Sequence, residues 1–145
     1  MPAPFVHELR VRYGECDPQG IVFNANYLAY FDVAFTELWR EALGRWDEMV
    51  ERGVDAVVAE ANVRFRAPAR FDDVLALRLA IAELGRTSLT TSTEVRRGGD
   101  VLVEMRLRHV FVDARTWRKT DMPGWIRAGL EPYAHNDDEP PEGGS

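Results

Sequence analysis

The chain has 145 residues, 46% of them hydrophobic, with 18 basic and 24 acidic residues and a formal net charge of −6. That length suits one domain with a buried core and is short for two. Glu131, Asp137, Asp138, Glu139 and Glu142 crowd the last fifteen residues; the other 19 acids face 18 basic residues, so the body lacks the basic stripe a nucleic-acid surface needs.

No run approaches the roughly 20 apolar residues of a membrane span, and Met1 to Phe5 lack the charged start and apolar stretch of a secretory signal. The expectation is a cytoplasmic protein. Cys16 is the sole cysteine, which excludes an intrachain disulfide and disfavours a thiolate metal site; His7, His109 and His135 lack metal-ligand spacing. Seventeen of the eighteen basic residues are Arg, a bias that suits bidentate phosphate contacts and that genome base composition also produces.

From Phe5 to Tyr13, Phe5, Leu9, Val11 and Tyr13 alternate with Glu8, Arg10 and Arg12, which predicts a strand. Gly14 to Phe23 contains Pro18 and Gly20 and reads as a loop, followed by Asn24 and Asn26, either of which could cap a helix. Over Asn26 to Leu43, Tyr27, Tyr30, Phe31, Ala34, Leu38 and Ala42 recur every three or four residues, and Leu28, Phe35 and Trp39 form a second apolar stripe. A helix apolar on so much of its circumference must be wrapped by other elements. At ~1.5 Å per residue it would span ~27 Å, enough to cross a small sheet.

Gly44 is a plausible stop, and Arg45 to Arg52 reads as a short second helix ending at Gly53. Four strand-like segments follow: Val54 to Arg66, Val74 to Leu84, Ser88 to Arg97, and Val101 to Asp113. Gly85-Arg86-Thr87 and Gly98-Gly99-Asp100 supply the last two hairpin turns. The order predicts an α+β fold, an antiparallel sheet with one long helix on its concave face. His109 falls in register with Met105 and Leu107, the position of a core or interface histidine. Met122 to Tyr133 has a weak helical pattern. The tail from Ala134, acidic and rich in Pro and Gly, can bury almost nothing and is expected to be disordered, leaving residues 1–133 as the single domain.

The chemistry concentrates in Tyr13-Gly14-Glu15-Cys16-Asp17-Pro18-Gln19-Gly20-Ile21-Val22-Phe23, which sets two carboxylates and a thiol just before the long helix. A helix start carries roughly half a positive charge and unpaired N–H groups. Such donors can hold an oxyanion while a neighbouring carboxylate attacks a carbonyl or activates water, and Asp17 is the candidate attacker. The competing reading is structural, since Asp before Pro and Gly commonly forms a turn.

The block from Gly14 to Val22, with Asn26-Tyr27 and Asp32 after it, closely resembles the signature of 4-hydroxybenzoyl-CoA thioesterases. The likeness continues more loosely through Arg66 to Leu75 and Gly98 to Val101, to about Pro123. It implies the hotdog fold, a curved antiparallel sheet wrapped round one long helix, in homodimers or homotetramers with active sites at subunit contacts. It also implies hydrolysis of an acyl-CoA thioester without metal or redox cofactor.

By the same resemblance Asp17 is the catalytic aspartate, as nucleophile or general base, with Gly20 in its loop. Asn24 corresponds to the residue whose backbone N–H polarises the carbonyl, where relatives carry Tyr or His. Asp32 matches an acid that meets a ring hydroxyl, or else bonds the opposing subunit; a carboxylate buried in the helix would need such a partner. Tyr27, with Tyr30 and Phe31, suggests an aromatic acyl group. Arg86, with Thr87 and Ser88, corresponds to the turn that meets the CoA phosphates, although relatives have a denser basic cluster there. A short or medium aliphatic acyl-CoA, an acyl-carrier-protein thioester, and a non-catalytic acyl-CoA-binding domain are the alternatives.

Overall fold

A computed structural model describes residues 4–134. Strand β1 (Phe5–Arg10) leads through a 3-10 turn (Tyr13–Glu15) and a loop into helix α1 (Asn26–Leu43) and the short α2 (Trp46–Glu51). Strands β2 (Val54–Phe65), β3 (Val74–Leu84), β4 (Ser88–Arg97) and β5 (Asp100–Asp113) follow, then α3 (Gly124–Leu130) and a closing 3-10 turn (Glu131–Tyr133). The strands form one antiparallel sheet in the order β1-β3-β4-β5-β2, with α1 packed on it: the α+β architecture expected.

Strand alternation fixes which face meets the helix. Leu75, Leu77, Leu79 and Ile81 of β3 and Val103, Met105 and Leu107 of β5 are buried. They pack with Tyr27, Tyr30, Phe31, Ala34, Phe35, Leu38 and Trp39 of α1 in one core. Gly44 ends α1 at φ +101°, a left-handed conformation that suits glycine, with its N–H donated back to Trp39 O and Arg40 O. Arg127 on α3 donates to the carbonyls of Leu84 and Gly85, tying α3 to the β3–β4 turn.

Three expectations need correcting. The first strand stops at Arg10 rather than Tyr13, because the Arg12 N–H donates to Glu15 Oε1 instead of joining the ladder; Tyr13 is left 81% exposed. Helix α1 is not wrapped all round, since Leu28, Ala29, Asp32, Val33 and Thr36 form an exposed flank. Neither Asn24 nor Asn26 caps it: the cap position is Ala25, with no side-chain hydrogen bond.

Ala134 bridges Ile81, and the rest of the predicted tail, residues 135–145, lies outside the described residues. Among the described residues no helix is long and apolar enough to cross a membrane.

Candidate active site

Asp17 stands in a short hairpin. Cys16 pairs with Val22, the Asp17 N–H donates to Ile21 O, and the Gly20 N–H returns to Asp17 O, each of these two bonds 2.9 Å long. Gly20 sits at φ +81°, a conformation that costs other residues roughly 1–2 kcal/mol and glycine little. The Asp17 carboxylate accepts the Gln19 N–H on Oδ1 at 2.8 Å, which fixes its rotamer and leaves Oδ2 without a protein donor among the described residues. The turn-forming and the catalytic readings are therefore compatible: the bond that makes the turn also aims the second oxygen.

The hairpin is pinned to the rest of the molecule on two sides. Ile21 pairs with Arg70, and the Val22 N–H donates to Ala69 O. Glu15 O accepts from the Phe23 N–H and from Asn26 Nδ2 at the first residue of α1. The Glu15 side chain is the larger clamp. Its Oε1 accepts the Arg12 N–H at 2.7 Å and the Tyr30 hydroxyl at 2.9 Å, and its Oε2 accepts two N–H groups of the Arg12 guanidinium. Burial alone would raise the Glu15 pKa; the hydrogen bonds from Arg12 and Tyr30 outweigh it, and the carboxyl lies below its usual range.

At the helix start the backbone donors divide. The N–H groups of Asn26, Tyr27 and Leu28 donate to Phe23 O, Asn24 O and Ala25 O, at 2.9, 3.3 and 3.3 Å. Those of Asn24 and Ala25 make no hydrogen bond among the described residues. Free donors at the positive end of an 18-residue helix, on the same segment as a half-exposed carboxylate, are the parts needed to stabilise an oxyanion beside an attacking group.

Asp32 does not lie buried as the helical pattern suggested. It stands on the exposed flank of α1, at the rim of a pocket of about 380 Å³ lined also by Phe35, Thr36, Trp46, Ala56, Val58 and His109. Partial burial raises its pKa, and its carboxylate has no hydrogen-bond partner among the described residues. His109 is 4% exposed and stacks on Phe35, ring centroids 4.6 Å apart. Burial pushes its pKa down to about 4, so the ring is neutral at neutral pH.

The other sequence candidates are dispersed. Tyr27 is 2% exposed, and its hydroxyl accepts the Ala69 N–H, so it braces the core under the hairpin; Tyr30 and Phe31 are core residues as well. Arg86 pairs with Asp121 at 2.7 Å in the β3–β4 turn, with Thr87 and Ser88 beside it. That turn follows Leu84, whereas the Asp17 hairpin joins the chain near Val74, the opposite end of β3 and roughly 30 Å away at ~3.3 Å per residue. One protomer thus holds Asp17 and Gly20 in one hairpin, with Asn24 on the segment that follows it, and leaves Arg86, Thr87 and Ser88 remote. The pattern also passed over the Arg12–Glu15–Tyr30 clamp and the position of His109 in the pocket. Glu15 three residues after Arg12 was the available signal for the first.

The sequence profile of the thioesterase superfamily matches residues 19–104, with Asp17 just ahead of the matched span. A 4-hydroxybenzoyl-CoA thioesterase from a Pseudomonas species is 36% identical over 111 residues, 72% of this chain and 79% of that protein. An acyl-CoA thioester hydrolase from Escherichia coli is 31% identical over 121 residues, 83% of this chain and 90% of that protein. The crystal structure of an Aquifex aeolicus protein superposes with a TM-score of 0.84 at 28% identity, over 88% of this chain and all of that one. A gentisyl-coenzyme A thioesterase superposes at 0.79 with 26% identity, over 86% and 98% of the two chains. With profile, sequence and fold in agreement, the chain belongs to the thioesterase superfamily and is a hotdog-fold thioester hydrolase.

Proposed function

We propose that this enzyme hydrolyses an aryl-CoA thioester, with a 4-hydroxyaryl acyl group favoured, to the aryl carboxylate and free CoA. The observation that carries the reading is the pocket beside α1: its walls include the rings of Phe35, Trp46 and His109, and its rim holds an unengaged carboxylate, Asp32. Phe35, Trp46 and His109 pack on one another into one aromatic wall against which a planar ring can lie, and a phenolic hydroxyl is the donor an unpaired carboxylate lacks. The 36% identical 4-hydroxybenzoyl-CoA thioesterase supports the same substrate class.

In this reading the thioester carbonyl oxygen is held by the free N–H of Asn24 as negative charge builds on it. The Asp17 carboxylate either attacks the carbonyl carbon, expelling the CoA thiolate and leaving a mixed anhydride for water to cleave, or takes a proton from attacking water. Gly20 keeps the turn that presents Asp17. The test is a panel of aryl- and alkyl-CoA thioesters with release of the CoA thiol followed by a trapping dye. Asp17→Asn should lower turnover at least ~100-fold with the fold intact. Near-native turnover in that variant would remove Asp17 from the mechanism. Faster cleavage of alkyl than of aryl thioesters would make the enzyme an aliphatic thioesterase, and no turnover of any thioester would leave a binding domain.

A further inference from the structure

Glu15 holds the Asp17 hairpin in two ways, through its backbone and through its carboxylate. Its carbonyl oxygen accepts the Phe23 N–H at 2.9 Å and Asn26 Nδ2 at 2.8 Å, which brackets Asn24 from both sides. Glu15 also stands two residues before Asp17. The segment with the free N–H of Asn24 and the segment with the Asp17 carboxylate are therefore tied at one residue. The side chain then fixes that residue to the helix: Oε1 accepts the hydroxyl of Tyr30, four residues after Asn26 and on the same face of α1. Tyr30 is 4% exposed, and its ring meets Tyr27 edge to face. The Tyr27 hydroxyl accepts the Ala69 N–H, and Ala69 O accepts the N–H of Val22 on the other strand of the hairpin. Both strands of the hairpin are thus referred to one face of α1.

The turn itself does not need this carboxylate. The hairpin closes on backbone pairing, Cys16 with Val22 and Asp17 with Ile21 and Gly20. The Glu15 side chain is 16% exposed and that of Arg12 83%, so the charge is drawn inward from the surface to reach Tyr30. Burying a charge is costly, and an apolar side chain would fill the space without that cost. What the carboxylate adds is a single orientation, since its two oxygens accept four donors: the Arg12 N–H, two N–H groups of the Arg12 guanidinium and the Tyr30 hydroxyl. We propose that Glu15 is a positioning residue for thioester cleavage, and that with Tyr30 it sets the distance between the Asp17 carboxylate and the Asn24 N–H. This rests on the roles given to Asp17 and Asn24 above. Neither Glu15 nor Tyr30 lines the pocket beside α1, so their effect falls on the geometry of the reacting groups and not on the hold of the acyl group. A displacement of about 1 Å between reacting groups costs on the order of a hundredfold in rate.

The experiment measures kcat and KM separately, with 4-hydroxybenzoyl-CoA and with hexanoyl-CoA, on whichever is turned over and well below each protein's melting temperature. The proteins are the wild type, Tyr30→Phe, Glu15→Gln, Glu15→Ala and the double variant Glu15→Ala/Tyr30→Phe. Tyr30→Phe deletes one oxygen and keeps the ring; it should lower kcat about tenfold and leave KM within about twofold. Glu15→Ala should lower kcat on the order of a hundredfold, and Glu15→Gln should recover part of that, because its amide oxygen still accepts the Tyr30 hydroxyl. Adding Tyr30→Phe to Glu15→Ala should cost little more, as expected of two residues that act as a unit. Full kcat in Tyr30→Phe overturns the proposal. So do losses that multiply in the double variant, and so does a rise in KM at unchanged kcat, which would make Glu15 a binding residue. If Glu15→Ala does not fold, Tyr30→Phe and Glu15→Gln carry the test by the same criteria. Asp17→Asn, run alongside, separates the proposal from the reading it rests on. Near-native turnover in Asp17→Asn overturns both, whereas an inactive Asp17→Asn beside a fully active Tyr30→Phe overturns the positioning role alone.

Discussion

At the scale of single residues, Asp32 and His109 in the pocket beside α1 carry separate predictions. Asp32 has no hydrogen-bond donor among the described residues, so under the aryl-CoA proposal its partner is expected to be the ligand. Asp32→Asn should lower kcat/KM for a 4-hydroxyaryl thioester roughly ten- to a hundredfold more than for its unsubstituted analogue, since a hydrogen bond to a charged acceptor is worth ~1.5–3 kcal/mol. Equal losses on both substrates would make Asp32 structural. His109 predicts an acid-sensitive fold. Its pKa is about 4 in the folded chain against 6.5 ordinarily, so between those values the unfolded chain binds the proton and the folded chain does not. Stability is lost as pH falls through that window, by up to ~3 kcal/mol for this group alone. Asp32, with its pKa raised, acts in the opposite sense, taking its proton in the folded state first. Denaturant melts at pH 7 and pH 4.5 should show a drop that shrinks in His109→Gln; a drop of the same size in both proteins would assign acid sensitivity elsewhere.

At the scale of elements, α3 approaches α1 closely because residue 129 has no side chain. A Cβ there would lie 2.2 Å from Leu43 Cδ2 and 3.0 Å from the carbonyl oxygen of Ala42. Leu43 can turn aside, but the backbone oxygen cannot, so Gly129→Ala should destabilise the protein by ~1–3 kcal/mol as overpacking does, measured by urea unfolding. An unchanged midpoint would mean that α3 docks loosely. The helices and strands themselves were legible because each depends on a local period: the alternation of Leu75, Leu77, Leu79 and Ile81, or the three- and four-residue spacing from Tyr27 to Leu38. The Asp17 segment was legible as a loop from Pro18 and Gly20 and as a motif from its resemblance to a known signature, but its pairing of Cys16 with Val22 into a hairpin was not. What escaped depends on pairs distant in the chain. Tyr30 reaches back fifteen residues to Glu15, and His109 meets Phe35 across 74. The exposure of Asp32 escaped because the stripe of Leu28, Phe35 and Trp39 looks apolar, although only its Phe35–Trp39 end is buried within the chain.

At the scale of the whole molecule, several open features lie on one protomer. Strand β2, twelve residues long, forms an edge of the sheet, and the adjoining flank of α1 exposes Leu28 and Val33, the latter by 50%. A long edge strand beside an apolar helix flank invites pairing, and closed symmetric pairing is the commonest way a chain covers its own edge. Arg86 and Asp17 stand at opposite ends of β3, so a site that used both would draw them from neighbouring protomers. The protein is therefore expected to be a homodimer or homotetramer at micromolar concentration, by light scattering. If the pairing is two-fold and covers this flank, Val33→Lys places a charge in it twice and should shift the distribution towards monomer, with turnover falling in step as protein is diluted. A wild-type protein that is monomeric at those concentrations, or a monomeric variant with full turnover, would mean that a single protomer completes the site and that the CoA phosphates are held by residues other than Arg86, Thr87 and Ser88.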